Sequence, residues 1–117
     1  YEPHLRRMRG QYARNLEQMS DWVSRYFPPS VRVSRPQGSF MLWVEMPEGF
    51  DSQRLNRELA AHKIQIAPGS IFSAAGKYRN CLRMNYASRP SPIIEAAVRQ
   101  VGETVTAMLA ELPPPRD

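Results

Sequence analysis

The stretch Cys81-Leu-Arg-Met-Asn-Tyr-Ala87 alternates in polarity. Successive residues of a strand face opposite sides of a sheet, so Leu82, Met84 and Tyr86 share one face while Cys81, Arg83, Asn85 and Ala87 share the other. A guanidinium mounted on a strand either caps a solvated surface or meets an anion, and its planar fork of donors matches a carboxylate through two parallel hydrogen bonds. The alternation by itself favours a surface or interdomain ion pair for Arg83. The other reactive side chains offer less. His4, His62 and Cys81 share no ligand-like spacing, which argues against zinc, and His62 reads as a helix-end residue, where a cation suits the dipole. The chain has two lysines, Lys63 and Lys77, and neither lies in a context that would desolvate and activate it. Six residues separate Gly69 from Gly76-Lys77, too many for the Gly-x-x-x-x-Gly-Lys nucleotide loop, and Tyr78 stands where that loop needs Ser or Thr. No Ser-His-Asp set emerges. No catalytic residue and no metal ligand is assigned.

A chain of 117 residues is long enough for one domain with one core. Its 42% hydrophobic content, with Trp22, Trp43, five Tyr and four Phe, fits a globular fold rather than disorder. The longest apolar run, Phe40 to Val44, is five residues, against the ~20 that a membrane-spanning helix needs. No basic-then-apolar leader precedes it. Cys81 is the single cysteine, so no internal disulfide can form, and a cytoplasmic location is expected. The net charge of +5 and pI of about 9.9 would suit a polyanion. The fourteen arginines are scattered, however, with only Arg6, Arg7 and Arg9 clustered, and no aromatic-rich RNA-binding signature accompanies them. The start at Tyr1 and the closing Pro run are read as those of a piece of a longer protein, with residues 1–112 as the domain and 113–117 as a Pro-rich tail.

Leu5, Met8, Tyr12, Leu16, Met19, Val23 and Tyr26 recur in steps of three and four, predicting an amphipathic helix from Pro3 to about Phe27 that Pro28-Pro29 ends. Val31 to Ser34 and Ser39 to Met46 read as a hairpin across Arg35-Pro-Gln-Gly38. The second of these strands is apolar on both faces apart from Glu45, so it should be central and covered on both sides, by helices on one and by a partner domain on the other. That leaves an exposed apolar face on this chain around Met41, Trp43 and the Pro68-to-Phe72 loop. Asp51 is placed to cap a helix through Ala61 or His62. With no glycine at that helix's end, His62 or Lys63 must take the left-handed conformation. Ile64 to Ala67 reads as a short edge strand, and Ser70 to Arg79 as an irregular loop. After the Arg83 strand, Ser88 or Ser91 caps a last helix that opens on Pro92 and buries Ile94, Val98, Val101, Val105, Met108 and Leu112. The expected fold is an α/β (α+β) two-layer sandwich, a small, largely antiparallel sheet of three or four strands packed on three helices.

Four landmarks occur in order: His4-Leu-Arg-Arg-Met-Arg9, Arg35-Pro-Gln-Gly-Ser-Phe-Met-Leu-Trp43, Ile66-Ala-Pro-Gly-Ser-Ile-Phe72 and Cys81-Leu-Arg-Met-Asn-Tyr-Ala87. Together they resemble the C-terminal small domain of fold type I (class I/II) aminotransferases, most of all the aminotransferase-like domain of MocR-type regulators of the GntR superfamily. In those regulators a winged-helix DNA-binding domain precedes a domain that binds pyridoxal 5'-phosphate. The resemblance implies that Arg83 binds the carboxylate of an amino acid substrate or effector and that the domain helps close the active site. It implies a dimeric parent chain whose large domain supplies the Schiff-base lysine, with no cofactor expected on this stretch alone and DNA contacted only through an N-terminal domain. Ser39 replaces a frequent second glycine, and His62-Lys63 the usual helix-ending one. Two alternatives stand beside the regulator: the small domain of a metabolic aminotransferase of the aminoadipate or kynurenine type, and a self-sufficient basic α/β binding module. The parent's enzymatic activity is left open.

Overall fold

The computed structural model describes residues 2–35, 41–85 and 91–113. The first helix, α1 (Glu2–Tyr26), stops at the Pro28-Pro29 pair as expected. Leu16, Met19, Trp22, Val23 and Phe27 are buried and Tyr26 half-buried. The side chains of Leu5, Met8 and Tyr12 lie outside the described set. Strands β1 (Arg32–Ser34) and β2 (Met41–Glu45) pair antiparallel, with Ser34 opposite Trp43. The turn expected between them lies almost wholly outside the described residues.

Helix α2 (Ser52–Ala60) starts at Asp51, whose side chain accepts from the backbone N–H of Gln53 and Arg54. These are two of the donors that a helix start leaves unsatisfied. At its far end the backbone N–H of Lys63 donates to the Ala60 carbonyl and that of Ile64 to the Leu59 carbonyl. Such a Schellman closure needs a left-handed residue, and Lys63 supplies it at φ 60°. The edge strand is shorter than expected: β3 is Ala67–Pro68 only. The Ile64 N–H is committed to closing α2, and the Ile66 N–H donates to Asn56 Oδ1 at 3.0 Å, so neither is free for a ladder. The following segment, expected to be irregular, begins as a 3-10 turn over Gly69–Phe72. It leads to β4 (Cys81–Asn85); Tyr86 and Ala87 lie outside the described residues.

The last helix, α3 (Pro92–Ala110), is capped by Ser91, which accepts from the Ile94 N–H, with Pro92 in its first turn. Ser88, the other candidate cap, lies outside the described residues. Val98, Val101, Val105 and Met108 are buried as expected, Ile94 is half-buried, and Leu112 is half-buried just past the helix end. The four strands run β1-β2-β4-β3, antiparallel at every pairing. Leu42, Val44 and Leu82 face a single core shared with α1, α2 and α3, which gives the two-layer sandwich. The chain's own helices cover one side of β2 only. Leu42 and Val44 are buried, but Met41 and Trp43 on the opposite face are only half-buried and Glu45 is exposed. Among the described residues no helix is long and apolar enough to cross a membrane.

Candidate functional site

The sheet brings Arg83 into one row with three other residues. Ser34 pairs with Trp43, Trp43 with Arg83 and Arg83 with Ala67, and directly paired residues share a face. Their sequence neighbours Leu42 and Leu82 point into the core, so this row faces away from the helices. Arg83 is exposed, and among the described residues it forms no ion pair. Its guanidinium carbon lies 4.5 Å from the ring centroid of Phe72, within cation–π range.

The ring reaches Arg83 because the segment between β3 and β4 folds back over the sheet. Trp43 meets Phe72 edge-on at 6.1 Å between centroids, and Tyr78 at 5.4 Å. The fold-back is tight at Gly69, where a Cβ would stand 2.5 Å from the Tyr78 carbonyl oxygen and 2.9 Å from the Cys81 Cβ; only glycine fits. The segment is pinned at both ends. Gln53 Nε2 donates to Ser70 Oγ at 2.8 Å, and the buried Ser52 donates to the Arg79 carbonyl through both its Oγ and its N–H, each at 2.8 Å. The Met46 N–H donates to the Asn80 carbonyl, and Asn80 Nδ2 returns the bond to the Met46 carbonyl. Tyr78 is held at φ 65°, a strained conformation for a side chain of its size. The segment then enters β4, with no helix after Gly76-Lys77 to complete a phosphate loop.

Arg83 also borders a cleft of about 760 Å³ lined largely by apolar residues, among them Met41, Ile64, Ile66, Ile71 and Met84. Cys81, beside Arg83 in sequence, is buried. Burial, reinforced by the Glu45 carboxylate, pushes its thiol pKa up, and a hydrogen bond with Trp43 opposes this only in part. Such a thiol is a poor nucleophile. Lys63 and Lys77 are both exposed, and neither has the desolvated setting of a Schiff-base lysine. Among the described residues no three His, Cys, Asp or Glu side chains converge. The reading of the residues singled out Arg83 but not its aromatic partner. The sequence places Phe72 at the end of the Ile66-to-Phe72 landmark and on the same exposed apolar face as Trp43, but carries no sign of its contact with Arg83.

No family profile matches the chain. It is 50% identical over 105 residues to the uncharacterized HTH-type transcriptional regulator YjiR of Escherichia coli K12, covering 90% of this chain and 22% of that protein. It is 33% identical over 109 residues to a second such regulator of the same organism, YdcR, covering 93% of this chain and 23% of that one. Among solved structures it superposes on LysN, the α-aminoadipate aminotransferase of Thermus thermophilus complexed with N-(5'-phosphopyridoxyl)-L-leucine. That match has a TM-score of 0.86 and 31% identity, over 95% of this chain and 28% of that one. The chain thus spans between a fifth and a third of the length of these relatives. By sequence and by fold it is a homologue of both MocR-type HTH regulators and aminotransferases, with the fold of the C-terminal small domain of fold type I pyridoxal-phosphate-dependent aminotransferases.

Proposed function

We propose that this domain is part of a MocR-type regulator, in which Arg83 binds the carboxylate of an amino acid effector and the domain closes over a cofactor-holding large domain of the same, homodimeric chain. The observation that carries the reading is the setting of Arg83, an exposed guanidinium on the helix-free face of the sheet with no acidic partner among the described residues. Of the competing account from alternation alone, a surface or interdomain ion pair, the surface form finds no partner among the described residues: the exposed Glu45 shares this face of the sheet but makes no ion pair with Arg83. A rigid strand fixes the backbone from which the donor fork extends, and the fork suits recognition of a planar carboxylate. In this scheme the large domain supplies pyridoxal phosphate, DNA is met through an N-terminal domain, and the chain works in the cytoplasm. The 50% identity to an HTH-type regulator favours this over the second reading, a catalytic aminotransferase, which the 31% identity to LysN keeps in view. A winged-helix domain encoded upstream of the large domain decides for the regulator, and its absence for the enzyme.

The site reading is tested by Arg83→Lys in the intact protein that carries this domain. A lysine keeps the charge and loses the bidentate fork. Amino acid binding followed by calorimetry should weaken by about 1.5–3 kcal/mol, the scale of a hydrogen bond to a charged group, with the melting temperature nearly unchanged. Equal affinities in the two proteins would return Arg83 to a surface role.

A further inference from the structure

Phe72 is a large apolar side chain that contributes little to the core. It is 42% exposed, next to an Ile71 that is 62% exposed, and it does not join the buried cluster on the helix side of the sheet. Its ring instead makes two contacts on the open face, with the guanidinium of Arg83 at 4.5 Å and with the edge of Trp43 at 6.1 Å. Trp43 is in turn backed by Tyr78. The 3-10 turn that carries Phe72 is tied to α2 through Ser70 and Gln53 and is seated by the close approach at Gly69. The ring is therefore fixed from behind, and the flexible member of the pair is Arg83.

A free arginine side chain samples many rotamers and must give them up when it binds an anion. A guanidinium stacked on a ring has one flat face occupied, while its N–H donors lie in its own plane and stay available at the edge. We infer that Phe72 is a positioning residue for Arg83, one whose ring limits the rotamers of the guanidinium above it so that its donors are already placed for a carboxylate; this rests on the carboxylate-binding reading proposed above. The Trp43 and Tyr78 rings make the rest of the mount, which is why a strained Tyr78 and a glycine-only contact occur in a segment with no catalytic side chain of its own.

The test uses the intact protein carrying this domain, with L-amino acids and their carboxamides as probes in calorimetric titrations. The acid-over-amide preference reads the Arg83 contact alone. Phe72→Leu should reduce that preference about 2- to 5-fold, the scale of an exposed cation–π contact, and leave amide binding unchanged. Phe72→Met, a second ringless variant, should do the same, and Phe72→Tyr, which keeps the ring, should restore the wild-type value. In an Arg83→Lys background Phe72→Leu should add nothing further. Additive losses, or equal losses for acid and amide, would overturn the inference by making Phe72 a direct contact or a fold residue. A normal Arg83→Lys loss beside an unaffected Phe72→Leu would sink the inference alone. An undiminished preference in Arg83→Lys, or none in the wild type, would sink the Arg83 reading and this inference with it.

Discussion

Lys63 sits at φ 60° because closing α2 requires a left-handed residue there, and a side chain in that conformation costs about 1 kcal/mol or more. Glycine relieves the strain but gives the unfolded chain more freedom to lose. The balance favours Lys63→Gly by about 0.5–1 kcal/mol, expected as a rise in melting temperature on thermal denaturation. A fall would mean that the Lys63 side chain makes contacts that outweigh its strain. Tyr78 bears a comparable φ of 65°, but its ring gains the contact with Trp43. Arg83 differs from both: its position follows from the alternation of its strand, and its neighbours follow from tertiary contact.

At the scale of elements, α3 approaches the end of α1 closely at Gly102, and a missing side chain permits it. A Cβ on Gly102 would overlap the Tyr26 carbonyl oxygen and lie 2.7 Å from its carbon and 3.0 Å from Phe27 Cδ1. Backbone atoms cannot step aside as a flexible side chain can, so an added methyl must push the helices apart. Alanine gains about 1 kcal/mol of helix propensity over glycine, while overpacking costs about 1–3 kcal/mol. With the overlap on backbone, the cost prevails, and Gly102→Ala should destabilise the domain by about 1–2 kcal/mol in a urea titration. A stabilised variant would show that the crossing has room to spare. The apolar spacing around Val98, Val101 and Val105 predicted which face of α3 is buried, whereas the role of the glycine among them depends on which helix lies opposite.

Across the whole molecule, Arg54 ties α2 to the end of α3. It contacts Glu111 at 2.7 Å and Glu58 at 3.2 Å. The Arg54 hydrogen bond and charge lower the Glu111 pKa from its ordinary carboxylate value, and the same pair raises that of Arg54. A depressed carboxylate contributes stability that is present above the unfolded pKa, roughly 4.3, and is lost as pH falls through the lower folded value. These groups are exposed, so solvent screens the pair and the contribution is small. Melting temperatures from pH 7 to pH 2 should show wild type slightly above Glu111→Gln at neutral pH, with the gap closing below the ordinary glutamate range and narrowing in 1 M salt. A gap that persists at pH 2 would mean that packing, not charge, joins these helices.

The sequence alone determined what repeats at short range. The steps along α1 and α3, the alternation of β2 and β4, the Asp51 cap and the need for a left-handed residue at His62 or Lys63 to end α2 are set by neighbours within a few residues, and such patterns are printed in the chain itself; the structure gave that place to Lys63. The four landmark motifs carried the family and marked Arg83. Tertiary structure alone decided that the Ile66 donor serves Asn56, which, with the Ile64 donor closing α2, shortens β3 to Ala67–Pro68. It alone decided that the partial cover over Trp43 on the far face of β2 comes from Phe72 and Tyr78 of the chain's own fold-back. Those outcomes join residues 10 to 35 positions apart, where the pairing depends on which surfaces meet after collapse and leaves no period in the sequence to read.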